Sequence, residues 1–332
     1  MKINPLYTKK LLHPWIQQLF CFLFLLTSST MLGQDMENIK KRVALFPKKI
    51  RTTESLSSEI KEEFQDEKSQ TMALYVWLTT HIVYDLHSFK KGPKPIRFNY
   101  QTEAELAQKL QAQYDALVSK TLYTRKAVCE GYARTFHETA KKIGIESIVI
   151  TGFSKTTGTP IGVLPLTGKH AWNAVRIAGE WLLIDTTWGA GSVQNNQKWV
   201  AKFNSYYCFT EARQFLTSHY PMEPQWQLIP VPISQKAFAL QPIYSPLYFS
   251  LNLHLERPQS GILKSKGEKY YEFTFTTPEK NLDFGYAYDG DRYLHSLTPS
   301  YQKGMAVLKI PVQQRPLNLL VGVQMVVRFQ SN

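Results

Sequence analysis

Cysteine is scarce in this chain. Cys21, Cys129 and Cys208 are the only three in 332 residues, which leaves room for one disulfide at most once the N-terminal segment is set aside. The eight histidines are scattered and no His-Glu-x-x-His occurs, so a metal hydrolase of that pattern is excluded and no metal or other cofactor is expected. A phosphate-binding glycine loop and a dinucleotide fingerprint are also missing. Gly189-Ala-Gly191 is too short for either and lacks the helix context. No tandem repeat is evident, and beyond the first 33 residues no apolar run is long enough to span a bilayer. The formal net charge is +13, yet no lysine/arginine block or aromatic-interleaved basic stripe concentrates it. The surface is therefore diffusely basic and a nucleic-acid partner is not expected.

A hydrophobic content of 43% against 20% charged residues supports a packed core, and the length favours two domains. Residues 1–33 have the layout of a signal peptide. Lys9-Lys10 is the positive region, the run from Leu19 to Leu26 is apolar, and small polar residues from Thr27 to Thr30 precede Gly33. Cleavage near Gly33 and export are the expectation, and the alternative is a retained membrane anchor. Cys21 lies inside the apolar run without the context of a lipid-modified cysteine.

Residues 34–67 are charged and mixed, with Pro47 and a Ser/Thr-rich patch, and are expected to be an exposed lead-in. From Lys68 to Leu86, Ala73, Val76, Trp77, Thr80 and Tyr84 recur at helical spacing and predict an amphipathic helix. Thr102-Glu-Ala-Glu105 has the capping-box pattern of a second helix, running to about Val118. A third helix carries Tyr132, Ala133, Phe136, Ala140 and Ile143 on one face and stops at Gly144. Cys129 falls at its entrance, where unpaired N–H groups and the positive dipole end favour a thiolate. Cys208 is expected to be a small buried apolar residue, and a regulatory bridge to Cys129 stays open.

Ile145 to Gly152 predicts a strand, and Ser154 to Lys169 a mobile loop. His170–Ile177 and Glu180–Thr187 predict a hairpin around Ala178-Gly179. With that two-residue turn, Asp185 faces Trp172 and lies diagonally to His170 on the same side of the sheet. A three-residue loop would put the two on opposite faces. Residues 68–236 are taken as the catalytic domain, and His219 within them as structural. Residues 237–332 change to short β-rich runs such as Leu247–Leu255 and Tyr271–Phe275, which predicts a small Ig-like β-sandwich.

Cys129, His170 and Asp185 have the three roles of a thiol acyl-transfer site. The thiolate attacks an amide carbonyl to form a thioester, the imidazole moves the proton, and the carboxylate fixes the imidazole. The Cys129 backbone N–H is a candidate oxyanion donor. For a second donor Gln111, Gln113 and several Tyr and Trp side chains are available.

Val128-Cys-Glu-Gly-Tyr-Ala, His170-Ala-Trp-Asn-Ala-Val and Trp181-Leu-Leu-Ile-Asp-Thr-Thr-Trp-Gly together resemble the transglutaminase-like superfamily of papain-related folds. Asn173 after Ala-Trp, His219-Tyr-Pro, and the stretch from Val76 to Asp85 resemble its kyphoscoliosis peptidase branch. The resemblance covers about residues 68–235. It implies an α+β core with a cysteine-bearing helix on an antiparallel sheet, no metal, and Cys129, His170 and Asp185 as triad. The expected substrate is a protein or peptide amide, with water or an amine as acceptor. The competing reading is a catalytically inactive scaffold that binds a protein partner. No pattern fixes an oligomeric state.

Overall fold

The computed structural model describes residues 34–92, 97–194, 198–278, 281–302 and 304–331. The expected signal peptide lies outside the described residues. No described helix is long and apolar enough to cross a membrane.

The chain builds an α+β unit and then a β-sandwich. Helices α1 (34–43), α2 (Thr53–Glu63) and α3 (Glu67–His81) come first, followed by α4 (Glu103–Thr124) and α5 (Cys129–Ile143). The expectation of an exposed lead-in over 34–67 is corrected here. Met36, Ile39 and Val43 line one face of α1, and Leu56, Ile60 and Phe64 continue the pattern at i, i+4 and i+8. All six belong to the same apolar core as α3 and α5. Helix α3 is not amphipathic either: every residue from Thr71 to Thr79 is buried, so it runs through the core. His81 at its end stacks on Trp77.

Five antiparallel strands form the central sheet: β1 (Ser147–Ser154), β2 (Lys169–Ile177), β3 (Glu180–Ile184), β4 (Cys208–Thr210) and β5 (His219–Pro221). Their spatial order is β4-β3-β2-β1-β5. The β2–β3 turn is two residues long, with Ala178 at φ 50° and Gly179 at φ 87°, as a type I′ hairpin requires. The resulting register pairs Asn173 with Ile184 and Ile177 with Glu180. β3 ends at Ile184, before the expected Thr187, because Asp185 turns the chain and caps a helical turn, Thr186–Ala190.

A second core joins two further sheets. One has strand order Ile243–Tyr244, Gln324–Ser331, Leu317–Val321, Phe284–Tyr288, His295–Leu297, with Ile262–Leu263 beside Gln324–Ser331. The other runs His254–Arg257, Tyr270–Thr276, Met305–Pro311, Ser300–Gln302. Phe273 meets Phe329 and Phe275 meets Phe284 between them, which makes a sandwich. Leu247–Leu255 is not a strand. Pro246–Ser250 forms a helical turn, and the strand starts only at His254.

Candidate active site

Helix α5 begins on Cys129, with Val128 as an extended N-cap that supplies no side-chain bond. The first-turn N–H groups are thus left for another acceptor. Gly131 lets the helix seat closely. A Cβ there would come within 2.8 Å of Ala127 Cβ and 2.9 Å of Thr121 Oγ1.

The cysteine helix and the histidine strand are tied together by Asn173. Its buried Nδ2 donates to Ala133 O and Ile148 O, each at 3.0 Å. Ala133 is one helical turn past Cys129 and Asn173 is three residues past His170, so one amide fixes how the two approach.

His170 and Asp185 meet as the hairpin register dictates, with His170 Nε2 2.7 Å from Asp185 Oδ2. Asp185 is fully buried and accepts four hydrogen bonds. Oδ2 also receives His219 Nε2 at 3.0 Å, while Oδ1 takes the backbone N–H of Thr187 at 2.7 Å and of Trp188 at 3.0 Å. Burial penalises this carboxylate, but His170 and His219 outweigh the penalty and hold its pKa well below the usual range. Burial also opposes a charge on His170. The Asp185 carboxylate overcomes it, and a hydrogen bond and charge from Cys129 add to the effect, raising His170 to about 10. With Nε2 committed to Asp185, Nδ1 is the nitrogen left for the cysteine.

His219, expected to be structural, is a second partner of the acid. Its Nδ1 bonds Ser218 Oγ at 2.9 Å, and its ring stacks on Phe215 and leans on Trp188. Burial lowers it to about 4 against the pull of Asp185, so it is neutral at pH 7. A neutral imidazole that donates from Nε2 positions the carboxylate without adding charge. Among the described residues His170, Asp185 and His219 are the one group whose donor atoms converge as metal ligands do. Both ring nitrogens direct their protons at the same oxygen at 2.7 and 3.0 Å, which is hydrogen bonding. Donor atoms sharing a tetrahedral zinc at about 2.0–2.2 Å would stand roughly 3.3–3.6 Å apart, farther than either contact.

These shifts set the pH dependence of stability. Below pH 6.5 the unfolded chain protonates His219 and the folded chain does not, so stability falls as the pH drops toward 4. Above 6.5 the folded chain keeps the His170 proton that the unfolded chain releases, which lowers stability toward pH 10, while the buried Lys155, lowered to about 7, gives up a proton that the unfolded chain keeps, which raises it by a similar amount. Each contribution approaches about 1.4 kcal/mol per pH unit. The expected result is a Tm that climbs from pH 4 to about 6.5 and then stays nearly level. In His219→Gln the acid limb between pH 6.5 and 4 should be shallower and the level region above it unchanged. Calorimetry across pH on both proteins measures this.

Gln111 is not an oxyanion donor. It bonds Asp115 and Glu138, and Glu138 lies nine residues along α5 from Cys129. No hydrogen bond joins Gln113 to Cys129 or His170 among the described residues. Tyr84 is closer to the chemistry: burial raises its pKa, and the charges of Cys129 and Asp185 raise it further. It sits on Val83–Tyr84, which pairs in parallel with Lys126–Ala127 just before Cys129, and its ring stacks on Trp199 at 5.3 Å. Trp199 Nε1 is buried without a partner. Cys129 is partly exposed and Cys208 buried, and both are free thiols.

A partly exposed cysteine at a helix start, facing a histidine held by a buried acid on an antiparallel sheet, defines a papain-related thiol fold. Residues 54–186 match the family model described as the transglutaminase-like superfamily. The chain is similar to kyphoscoliosis peptidase of Mus musculus, with 27% identity over 217 residues, covering 64% of this chain and 30% of that protein. Hillarin of Drosophila melanogaster is 30% identical over 138 residues, 38% of this chain and 17% of that one. The chain thus spans less than a third of the curated relatives it matches. A solved structure described as the crystal structure of a TGase aligns at a TM-score of 0.30 and 20% identity, over 48% of this chain and 37% of that one.

Proposed function

We propose that the protein is an exported cysteine-nucleophile acyl-transfer enzyme, a peptidase or transglutaminase-like amidase acting on protein or peptide amides. The observation that carries this reading is the buried His170–Asp185 pair, with Cys129 as a further partner of His170 at the start of α5. The proton of the Cys129 thiol rests on His170 as the imidazolium of an ion pair, and the sulfur attacks the amide carbonyl as the thiolate. His170 returns the proton to the departing amine, leaving a thioester. Water or a second amine then displaces the sulfur, and the thiol is regenerated. The export part of the proposal rests on the leader sequence over residues 1–33.

The Cys129 N–H and the Tyr84 hydroxyl are assigned to the developing oxyanion. Tyr84→Phe is therefore expected to lower kcat by roughly 10²–10³-fold, with KM and Tm little changed. Steady-state kinetics beside a melting curve tests that assignment. The reaction itself is tested by incubating the protein with casein and a dansyl-amine. Incorporation of the amine identifies transfer and new peptide termini identify hydrolysis, and neither product should form with His170→Ala. If the intact protein forms neither product but captures a protein partner, it is the inactive scaffold.

A further inference from the structure

The loop from Lys155 to Gly168, expected to be mobile, carries a buried anchor. Lys155 follows β1 directly and is only 2% exposed. Its Nζ donates to Phe238 O and Gln241 O, both at 2.9 Å, and lies 4.8 Å from the Phe238 ring. An ammonium carries three protons, and the third has no acceptor among the described residues. No carboxylate among the described residues reaches it either, since burial alone acts on Lys155 and lowers it to about 7. A buried cation without a counter-charge is costly to keep.

Lys155 also lines a cavity of about 130 Å³. Lys155 lines it together with Ser154, Thr159 and Thr167, and Leu166 and Phe238 close its apolar side. At about 30 Å³ per liquid water, it takes on the order of four or five non-hydrogen atoms. Positive charge, hydroxyls and an apolar wall in that volume suit a carboxylate on a short aliphatic stem. We propose that the Lys155 cavity is a binding site for a small carboxylate, separate from the Cys129 centre. It goes beyond the acyl-transfer reading and does not depend on it. Its outer wall is the loop that leads into β2, two residues before His170.

Thermal denaturation of the full chain at pH 6, where Lys155 is charged, tests the site, with sodium propionate compared against propionamide and against sodium chloride at equal ionic strength. A saturable rise in Tm of a few degrees with propionate alone is expected, and Lys155→Met should lose it. If Lys155→Met does not fold, the wild-type chain with ¹³C-labelled lysine gives the second readout. Saturating propionate should raise the Lys155 titration midpoint by at least one pH unit and leave the other lysines unmoved. Equal Tm with propionate and propionamide, or an unmoved Lys155 midpoint, overturns the site. Acetylglycine and acetylglutamate α-amide then identify the source. Tighter binding of the first points to a chain terminus, tighter binding of the second to an acidic side chain, and neither above propionate to a free acid.

Discussion

Cys129→Ala is expected to reduce acyl transfer on the order of 10⁴-fold or more, because no other described thiol can take its place. Cys208 is buried, free and 79 residues away in sequence, and burial pushes its thiol pKa far up, which keeps it protonated. Cys129 is partly exposed and is not the helix cap, so its loss should leave Tm within a few degrees of wild type. The two results together separate chemistry from folding. An alanine variant that melts normally and incorporates dansyl-amine within tenfold of wild type would show that the groove works without a thioester.

Asp185→Asn should damage both activity and stability. The carboxylate accepts from two imidazoles on Oδ2 and two backbone N–H groups on Oδ1. An amide can keep the two backbone donors, but it then directs its own N–H₂ at His170 Nε2 and His219 Nε2, which are donors themselves. At least one imidazole must change tautomer, and His170 loses the charge that holds its proton. A fall in kcat on the order of 10⁴-fold is expected, as when the acid of a serine triad becomes an amide. Breaking a buried charged network typically costs about 3–5 kcal/mol. Kinetics and urea denaturation on one preparation check both effects. Wild-type stability in the variant would mean that Asp185 does not organise the site.

The three candidate site residues are legible in the sequence because each has a local signature. Ala178-Gly179 sets a two-residue turn, the turn sets the register, and the register puts Asp185 on the His170 side. Gly144 and the apolar stripe back to Tyr132 locate the start of α5 and hence Cys129. His219 had no such signature. Its strand is three residues long and pairs through Ser154, so its approach to Asp185 depends on a non-local contact. The α1 and α2 stripes did have a signal, Met36-Ile39-Val43 and Leu56-Ile60-Phe64 at helical spacing, but the charged outward faces and Pro47 obscured it. Helix α3 was given too much polarity because its core threonines bond their own backbone: Thr71 to Glu67 O and Thr79 to Tyr75 O. A satisfied hydroxyl can be buried among apolar side chains. Lys155 was missed for the opposite reason, since a lysine in a Gly/Pro/Thr-rich loop reads as solvated and nothing local points to the carbonyls of Phe238 and Gln241.

The most direct measurement is the rate of Cys129 alkylation by iodoacetamide at pH 6, by peptide mass spectrometry, in wild type and in His170→Ala. If the imidazole held by Asp185 takes the thiol proton, wild-type Cys129 should react at least tenfold faster than the variant, while Cys208 stays unlabelled in both. Equal rates at Cys129 in the two proteins would contradict a histidine-activated thiol.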